Sequence, residues 1–231
     1  MGCFRIEAVV IVSLMLVLPN AEGWGKEGHA IVCKIAQARL DTAAAEAVSK
    51  LLPKSAENDL ASLCSWPDDV RRAIPWSSAL HFADTPDSVC SYDHTNNLTE
   101  ALLFLSHFFG DIHQPLHCGF VSDQGGNAIN VLWYNATQKL HRVWDDNIIE
   151  TEFEKFDQDF DDLVDAIQRN ITYGQMKYKI GSTAVMVTYH AQLYEYFFSR
   201  FPIVNLRLAQ GGVRLAAALN RIFNTKYAAE M

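Results

Sequence analysis

The sequence has little positive charge. Its 231 residues carry 19 Lys and Arg against 27 Asp and Glu, which gives a formal net charge of −8. An acidic chain of this kind does not bind nucleic acid through a broad basic surface. If the protein handles phosphate groups, the positive charge has to come from elsewhere, and bound divalent cations can supply it.

The sequence also lacks low-complexity segments, long linkers and repeats of solenoid length. These absences argue against a repeat array and against a string of linked domains. A chain of 231 residues, of which 49% are hydrophobic, can form one substantial core, with room for two lobes. We therefore predict a single domain over residues 24–231.

Long apolar runs are confined to the N-terminal segment. The run from Ala8 to Leu18 is too short to span a bilayer comfortably. Ala21 and Gly23 suit the −3 and −1 positions of a signal-peptidase site. Residues 1–23 are therefore predicted to be a signal peptide rather than a membrane anchor. Cleavage would make Trp24 the new N-terminus of a secreted or vacuolar protein without stable membrane association.

Secretion changes how the five cysteines are interpreted. Cys3 leaves with the signal peptide, and the remaining four allow three pairings, among which the sequence cannot choose. The oxidising route of secretion favours at least one disulfide. Secretion also agrees with the three motifs for asparagine-linked glycosylation. These begin at Asn97, Asn135 and Asn170.

Apolar periodicity predicts a mainly helical chain, that is, an all-α fold with a small β-ribbon. A long helix is expected over residues 25–52, where Pro53 ends it, and a second one over 57–65. Thr99 is expected to cap a helix over residues 100–114.

The second half of the chain changes period twice. Alternation over residues 129–134, after the turn at Gly125-Gly126, predicts the β-ribbon. Helices are expected to resume near Trp144 and again over 185–198. A closing helix contains Gly211-Gly212, and two glycines inside a helix indicate close packing against another element.

Polar residues in the apolar stretch "LSHFFGDIHQPLH" are the first sign of a metal site. His107 and Asp111 are four residues apart, so they share one face of a helix, and His117 follows nearby. His141 and Asp145 repeat the same spacing. A single pair of this kind is more often a local hydrogen bond. Two pairs with His117 between them favour zinc, which imidazole and carboxylate together suit.

Further candidate ligands lie upstream. A free α-amine at Trp24 would lose its proton far more readily than a lysine, and with its own carbonyl it could chelate a metal near His29. Carboxylate and imidazole groups also occur together in "SWPDDVR" and "LHFAD". The candidates there are Asp68, Arg71, His81 and Asp84. We expect His94, His113 and His190 to be ordinary histidines, because none of them belongs to such a cluster.

Several of these motifs, in their order and spacing, resemble the plant bifunctional nucleases, the secreted zinc relatives of the fungal single-strand-specific nucleases. They are "WGKEGH", "DLASLCSWPDDVR", "LHFADTP", "NLTEALLFLSHFFGDIHQPLHCGF", "GGNAINVLWY", "LHRVWD" and "RLAQGGVRLAAALNRIF". The resemblance implies a mostly helical fold similar to zinc phospholipase C, with three zinc ions per chain.

The resemblance also implies a role for each matching residue. One zinc would be held by Asp68, His81, His107 and Asp111. A second would be held by His117, His141 and Asp145. The third would take the amine and carbonyl of Trp24, His29 and a bridging Asp111. Asp68 and Arg71 would be catalytic, while Phe82 and Asp84 would hold a base of the substrate.

The activity implied is hydrolysis of single-stranded RNA and DNA, with 5′-phosphorylated products, and of 3′-nucleotides, by a monomer. Two segments depart from the family pattern, near residues 93–97 and 173–195, where the chain is shorter or replaced. Cys90 thereby loses its expected partners, and Cys33–Cys64 remains the expected disulfide. Two alternatives stay open: a hydrolase of the phospholipase C type, and a shortened secreted binding protein without activity.

Overall fold

The computed structural model describes residues 23–81, 98–118, 121–154, 159–172 and 189–224. This part of the chain is mainly helical with one two-stranded sheet, so the predicted fold class is confirmed. Residues 1–22, which make up nearly all of the predicted signal peptide, lie outside the described residues. Within the described ranges, no helix combines the length and the apolar character that crossing a membrane requires.

The helices differ widely in length. They are α1 (Lys26–Gln37), α2 (Thr42–Leu51), α3 (Trp66–Val70), α4 (Leu98–Asp111), α5 (Leu140–Arg142), α6 (Ile148–Phe153), α7 (Phe160–Thr172) and α8 (Tyr189–Phe223). A π-helical segment, Val143–Asn147, joins α5 to α6. Short 3₁₀ helices fill several connections: Lys54–Ala56, Leu60–Leu63, Pro75–Leu80, Pro115–Cys118 and Val121–Asp123.

The long helix expected over residues 25–52 is wrong, because the chain breaks it into α1 and α2. Asp41 begins α2 as its N-cap, and its carboxylate accepts the N–H of Ala44 at 2.9 Å. A side chain that satisfies a free N–H of the first turn stabilises a new helix start. The alanine-rich run therefore forms a separate helix that can change direction.

The helix expected over residues 57–65 is also wrong. Two short 3₁₀ helices occur there instead, and Glu57 and Asn58 between them adopt the left-handed conformation, with φ of 49° and 65°. A regular helix cannot continue through such residues. The resulting turn brings Leu60 and Cys64 against α1, where both are fully buried.

Helix α4 differs from its prediction at both ends. It begins at Leu98, so Thr99 lies inside its first turn rather than at the cap, and the Thr99 hydroxyl donates to the carbonyl of Leu51 at 2.6 Å. It ends at Asp111, before the expected Gln114. The chain then tightens into the 3₁₀ helix Pro115–Cys118.

Helix α8 contributes buried residues to the core from Phe197 to Leu219. It runs for 35 residues through Pro202, so the two helices expected in this region are one, although residues 185–188 lie outside the described ranges. The close packing expected at Gly211-Gly212 is confirmed. A Cβ atom on Gly212 would lie 2.4 Å from Cγ2 of Ile35, which leaves room only for glycine where α8 crosses α1.

The β-ribbon is confirmed at the expected place. Strands β1 (Asn130–Trp133) and β2 (Ala136–Lys139) pair antiparallel, with Trp133 opposite Ala136. Trp133 is the buried residue of β1, and β2 leads directly into α5. The ribbon therefore fixes the point at which His141 enters the interior.

Candidate metal centre

Helix α4 provides the middle of the candidate centre. His107 and Asp111 lie one turn apart on its buried face, and neither is exposed to solvent. The His107 Nε2 atom lies 3.3 Å from Asp111 Oδ2 and 3.0 Å from Nδ1 of His81, which follows the 3₁₀ helix Pro75–Leu80. Asp68 of α3 completes the group, with Oδ1 3.5 Å from His107 Nε2.

Asp111 also faces a histidine of another helix. Its Oδ1 atom lies 3.2 Å from Nε2 of His29 in α1, while its Oδ2 atom lies 3.1 Å from Nδ1 of His81. One carboxylate therefore directs its two oxygens to two separate sets of histidine nitrogens. This is the geometry of a carboxylate that can bridge two cations.

A second group lies beyond the end of α4. The Nε2 atoms of His117 and His141 lie 3.1 Å apart, and Asp145 Oδ2 lies 3.3 Å from Nε2 of His141. His141 comes from α5, and Asp145 from the π-helical segment that follows. Both groups meet the distance requirement for three residues to share one metal ion.

In three histidines, the hydrogen bond at Nδ1 determines which ring nitrogen carries the proton. Backbone carbonyls face the Nδ1 atoms of His107, His117 and His141 at 2.8, 2.6 and 2.7 Å. A carbonyl can only accept, so each Nδ1 carries a proton, and each ring presents a bare lone pair at Nε2 whenever it is neutral. His117 and His141 therefore point two lone pairs at each other, an arrangement that a cation between them would stabilise.

Unsatisfied buried atoms support the same conclusion. Within the described residues, buried side-chain atoms without a hydrogen bond include both ring nitrogens of His29, Nε2 of His81, Oδ1 of Asp68 and both carboxylate oxygens of Asp111. His29 Nε2 and Asp111 Oδ1 are close, yet their geometry does not suit a hydrogen bond. Buried polar groups without partners destabilise the fold, and a metal ion bound by such nitrogen and oxygen atoms would remove that cost.

The charges of the first group point in the same direction. Burial lowers the pKa of His107, but the carboxylates of Asp111 and Asp68 outweigh it and raise that pKa to about 10. Burial and the neighbouring His107 lower the pKa of His29 to about 4. Burial alone would raise the pKa of Asp111, but His107 and the other histidines hold it well below the usual value. The carboxylates thus stay ionised and favour a positive charge beside them, which either a proton on His107 or a bound cation can supply.

The residues around Trp24 lie beside the predicted position of the third zinc. Trp24 and Gly23 are both buried, and a Cβ atom on Gly23 would lie 1.5 Å from Asp111 Oδ1 and 3.0 Å from Nε2 of His29. The backbone of Gly23 therefore lies directly against the pair that the sequence assigns to the third zinc. The N–H of Gly25 donates to the carbonyl of Asp145 at 3.1 Å, which holds this segment in place.

A cavity of about 430 Å³ opens beside Asp68. Its walls come from the start of α1, from the turn before α3 and from the π-helical segment. Residues that line it include Lys26, Ser65, Trp66, Asp69 and Asp146. A pocket of this size, with an apolar ring and several polar groups, can accept a small organic substrate next to the first metal-binding group.

The other predicted residues have mixed outcomes. Arg71 follows Asp68 by one turn, and its Nε atom donates to the Ser78 hydroxyl at 3.3 Å. Phe82 and Asp84 lie outside the described residues. His113 is in neither metal-binding group: its Nδ1 donates to the carbonyl of Phe109 and its Nε2 accepts from Arg214 at 2.8 Å. His94 and the side chain of His190 are not among the described parts.

Two cysteines support the centre from outside. Cys33 of α1 and Cys64 form a disulfide, in agreement with the pairing expected from the family resemblance. Since the carbonyl of Cys64 accepts the Nδ1–H of His107, this bond anchors the partner that orients a metal-binding ring. Cys118 is exposed and has a free thiol, while Cys90 lies outside the described ranges.

Sequence reasoning missed Gln114. This residue is fully buried, and its side-chain amide donates to Oδ1 of Asp145. Its only local signal was that another polar residue stood in the same apolar stretch as His107 and Asp111. Which distant group it would meet could not be read from that stretch.

A mainly helical fold that surrounds buried groups of histidine and aspartate is the architecture of the zinc phospholipase C-like all-α fold. Within that fold class, the chain belongs to the S1/P1 nuclease family, whose family model matches residues 24–99 and 89–224. The two matched pieces overlap near the first segment that departs from the expected family pattern.

Similar proteins from plants cover nearly the whole chain. Endonuclease 2 of Arabidopsis thaliana is 43% identical over 96% of this chain and 98% of its own length. Endonuclease 4 of the same plant is 39% identical over 94% of each. Nuclease P1 of Penicillium citrinum is 34% identical over 53% of this chain and 57% of its own length.

Proposed function

We propose that this chain is a zinc-dependent endonuclease that hydrolyses single-stranded RNA and DNA to 5′-phosphorylated products, and that it also dephosphorylates 3′-nucleotides. The observation that carries the proposal is that Nε2 of His29 and both carboxylate oxygens of Asp111 are buried close together without hydrogen-bond partners. Membership of the S1/P1 nuclease family supports the nucleic-acid substrate. Three zinc ions per chain would add six positive charges to a chain whose formal net charge is −8.

The donor atoms suggest how three zinc ions would be shared. Asp68, His81, His107 and Asp111 would hold the first, and His117, His141 and Asp145 would hold the second. His29, Asp111 and the amine and carbonyl of Trp24 would hold the third. When bound, zinc supplies Lewis acidity that activates water and offsets the negative charge of the phosphate.

The residues of the chain would then position and move the proton. The Asp68 side chain is 23% exposed and borders the cavity, so it can accept the proton of the attacking water. Water attacks phosphorus as its proton passes to Asp68, the bond from phosphorus to the 3′ oxygen breaks, and that oxygen takes a proton from solvent and leaves as a hydroxyl. Arg71 can donate hydrogen bonds to the phosphoryl oxygens.

Substrate preference follows from stacking. Phe82 would offer a ring face to a base, and Asp84 would accept hydrogen bonds from its edge. A base can stack on a side chain only when it is unpaired, which favours single strands. Stacking also tolerates any base, so we expect broad rather than sequence-specific cleavage.

Secretion completes the proposal. Residues 1–23 would be removed as a signal peptide, and the monomer would be extracellular or vacuolar. Asn135, in the turn of the β-ribbon, and Asn170, on α7, are both exposed and accessible to a glycan. Asn97 lies outside the described residues.

The decisive experiment measures zinc and cleavage in the same preparation. Mature protein that starts at Trp24 is analysed for metal content and incubated with single-stranded RNA or DNA, with a duplex of the same sequence as control. We expect about three zinc ions per chain, since buried sites of this type retain zinc tightly. EDTA should abolish cleavage, and added zinc should restore it.

Each other result identifies a different protein. Full zinc content without cleavage of any substrate would support a secreted binding protein. Hydrolysis of phospholipid but not of nucleic acid would support the phospholipase C alternative. Absence of zinc from folded protein would contradict the metal centre itself.

A further inference from the structure

One buried residue contacts both candidate metal-binding groups and belongs to neither. Gln114 lies between the end of α4 and the 3₁₀ helix Pro115–Cys118, and it is fully buried. Metal-binding residues stand on each side of it along the chain. Its four polar groups all have partners, which makes it the best-connected amide near the centre.

The backbone of Gln114 joins the two groups along the chain. Its N–H donates to the carbonyl of Asp111 at 2.9 Å, and its carbonyl accepts the N–H of His117 at 3.1 Å. These two bonds form the tight turn that follows α4. Asp111 and His117 are thereby held at a fixed separation, although they serve different groups.

The side chain of Gln114 adds a third link, across the fold. Its Nε2 donates to Oδ1 of Asp145, and its Oε1 accepts the N–H of Leu116. An amide nitrogen can only donate and an amide oxygen can only accept, so the two partners define one orientation of the amide. A flipped amide would bring oxygen against the carboxylate and nitrogen against an N–H.

This orientation decides which oxygen of Asp145 remains for a metal. Oδ1 is bonded to Gln114, while Oδ2 lies 3.3 Å from Nε2 of His141 and faces the second group. We infer that Gln114 is a positioning residue: it makes Asp145 a ligand through Oδ2 alone and keeps it in register with His117 and Asp111. The inference rests on the proposed function, because it assumes that this group binds zinc.

Two variants separate positioning from general stability. Gln114→Leu removes both polar groups of the side chain. Gln114→Glu keeps an acceptor for the N–H of Leu116 but replaces the donor to Asp145 with a carboxylate oxygen that repels it, so it serves where Gln114→Leu does not fold. Gln168→Leu is the control, because Gln168 of α7 accepts from Nη1 of Arg39, just after α1, at 2.7 Å and takes no part in the metal-binding groups.

The measurements are zinc affinity in chelator-buffered solution and the visible spectrum of the cobalt-substituted protein. Loss of a partner that orients a metal ligand typically weakens metal binding about 10–100-fold. We expect that loss for one zinc per chain in both Gln114 variants, together with an altered cobalt spectrum. Gln168→Leu should lower the unfolding temperature and leave zinc affinity and spectrum unchanged.

The failures are distinguishable. If the Gln114 variants bind zinc and cobalt as the unaltered protein does, and only their unfolding temperature falls, Gln114 is merely structural and the inference is wrong. If the unaltered protein binds no zinc at all, the proposed function fails first.

Discussion

Asp111 is the residue on which the candidate centre depends most. It is fully buried at the end of α4, with Oδ1 facing His29 and Oδ2 facing His81 and His107. Neither oxygen has a hydrogen bond within the described residues. A charged group in this setting is strongly destabilising unless a cation accompanies it, so its presence is an argument for metal rather than for a packed core.

Replacement of this carboxylate should affect two zinc ions together. Asp111→Asn removes the charge and leaves one acceptor oxygen, so we expect two of the three zinc ions to be lost in metal analysis. Loss of a residue that only orients a metal ligand weakens metal binding roughly 10–100-fold. The fall in zinc affinity should be larger here, because Asp111 is proposed to bind zinc directly. Zinc content equal to that of the unaltered protein would refute the bridging role.

His113 provides the control for that prediction. It lies two residues from Asp111, but its ring binds the carbonyl of Phe109 and the guanidinium of Arg214. His113→Gln should therefore retain zinc. Its free energy of unfolding should fall by about 0.5–1.5 kcal/mol, because the hydrogen bonds of the buried ring to Phe109 and Arg214 are lost.

At the scale of the elements, the crossing of α1 and α8 positions the centre. Helix α1 carries His29, and α8 packs across it at Gly212, where a Cβ atom would lie 2.4 Å from Ile35. At Gly211 the nearest atom to such a Cβ would be Cγ2 of Val32 at 3.2 Å. The two neighbouring glycines thus differ in how much space they leave.

This difference in space predicts that alanine is destabilising at Gly212 but not at Gly211. Gly212→Ala should lower the free energy of unfolding by about 1–3 kcal/mol, since overpacking forces the helices apart. Gly211→Ala should be nearly neutral, because the gain in helix propensity of up to about 1 kcal/mol offsets the tight contact. Denaturant unfolding of both variants tests this, and equal effects would contradict the proposed close crossing.

At the scale of the whole molecule, the chain has to be cut before the centre can be completed as proposed. Gly23 is buried against Asp111 and His29, the pair that would share the third zinc with the Trp24 amine. As long as the bond between residues 23 and 24 is intact, that amine does not exist. The proposed signal-peptide cleavage is therefore also a step in assembly of the metal centre.

Protein with its N-terminus at Trp24 should bind one zinc more than protein that begins at Gly23. The extra residue converts the chelating amine into an amide and keeps backbone against Asp111 Oδ1. Metal analysis of both forms measures the difference, and a residue added after Met231 is the control for chain extension. Equal zinc content in the two forms would show that the amine is not a ligand.

The sequence alone was sufficient wherever neighbouring residues carry the information. The shared faces of His107 with Asp111 and of His141 with Asp145 follow from helical periodicity, and the β-ribbon follows from alternation with a period of two. Tertiary structure decided the rest. The predicted helices over residues 25–52 and 57–65 are interrupted by the Asp41 cap and by the left-handed Glu57 and Asn58. The apolar pattern did not indicate these interruptions.

The assembly of the site was likewise beyond local pattern. His29 and His81 reach Asp111 from separate elements, and Asp68 reaches His81. Only packing of α1 and α3 against α4 brings these atoms close together. Gln114 shows the same limit, since its partner Asp145 lies 31 residues away in the sequence. The sequence by itself determined which donor atoms this protein has, because residue type fixes their chemistry. Only the tertiary structure decided which of them share a metal position, because that depends on long-range contacts that no short stretch encodes.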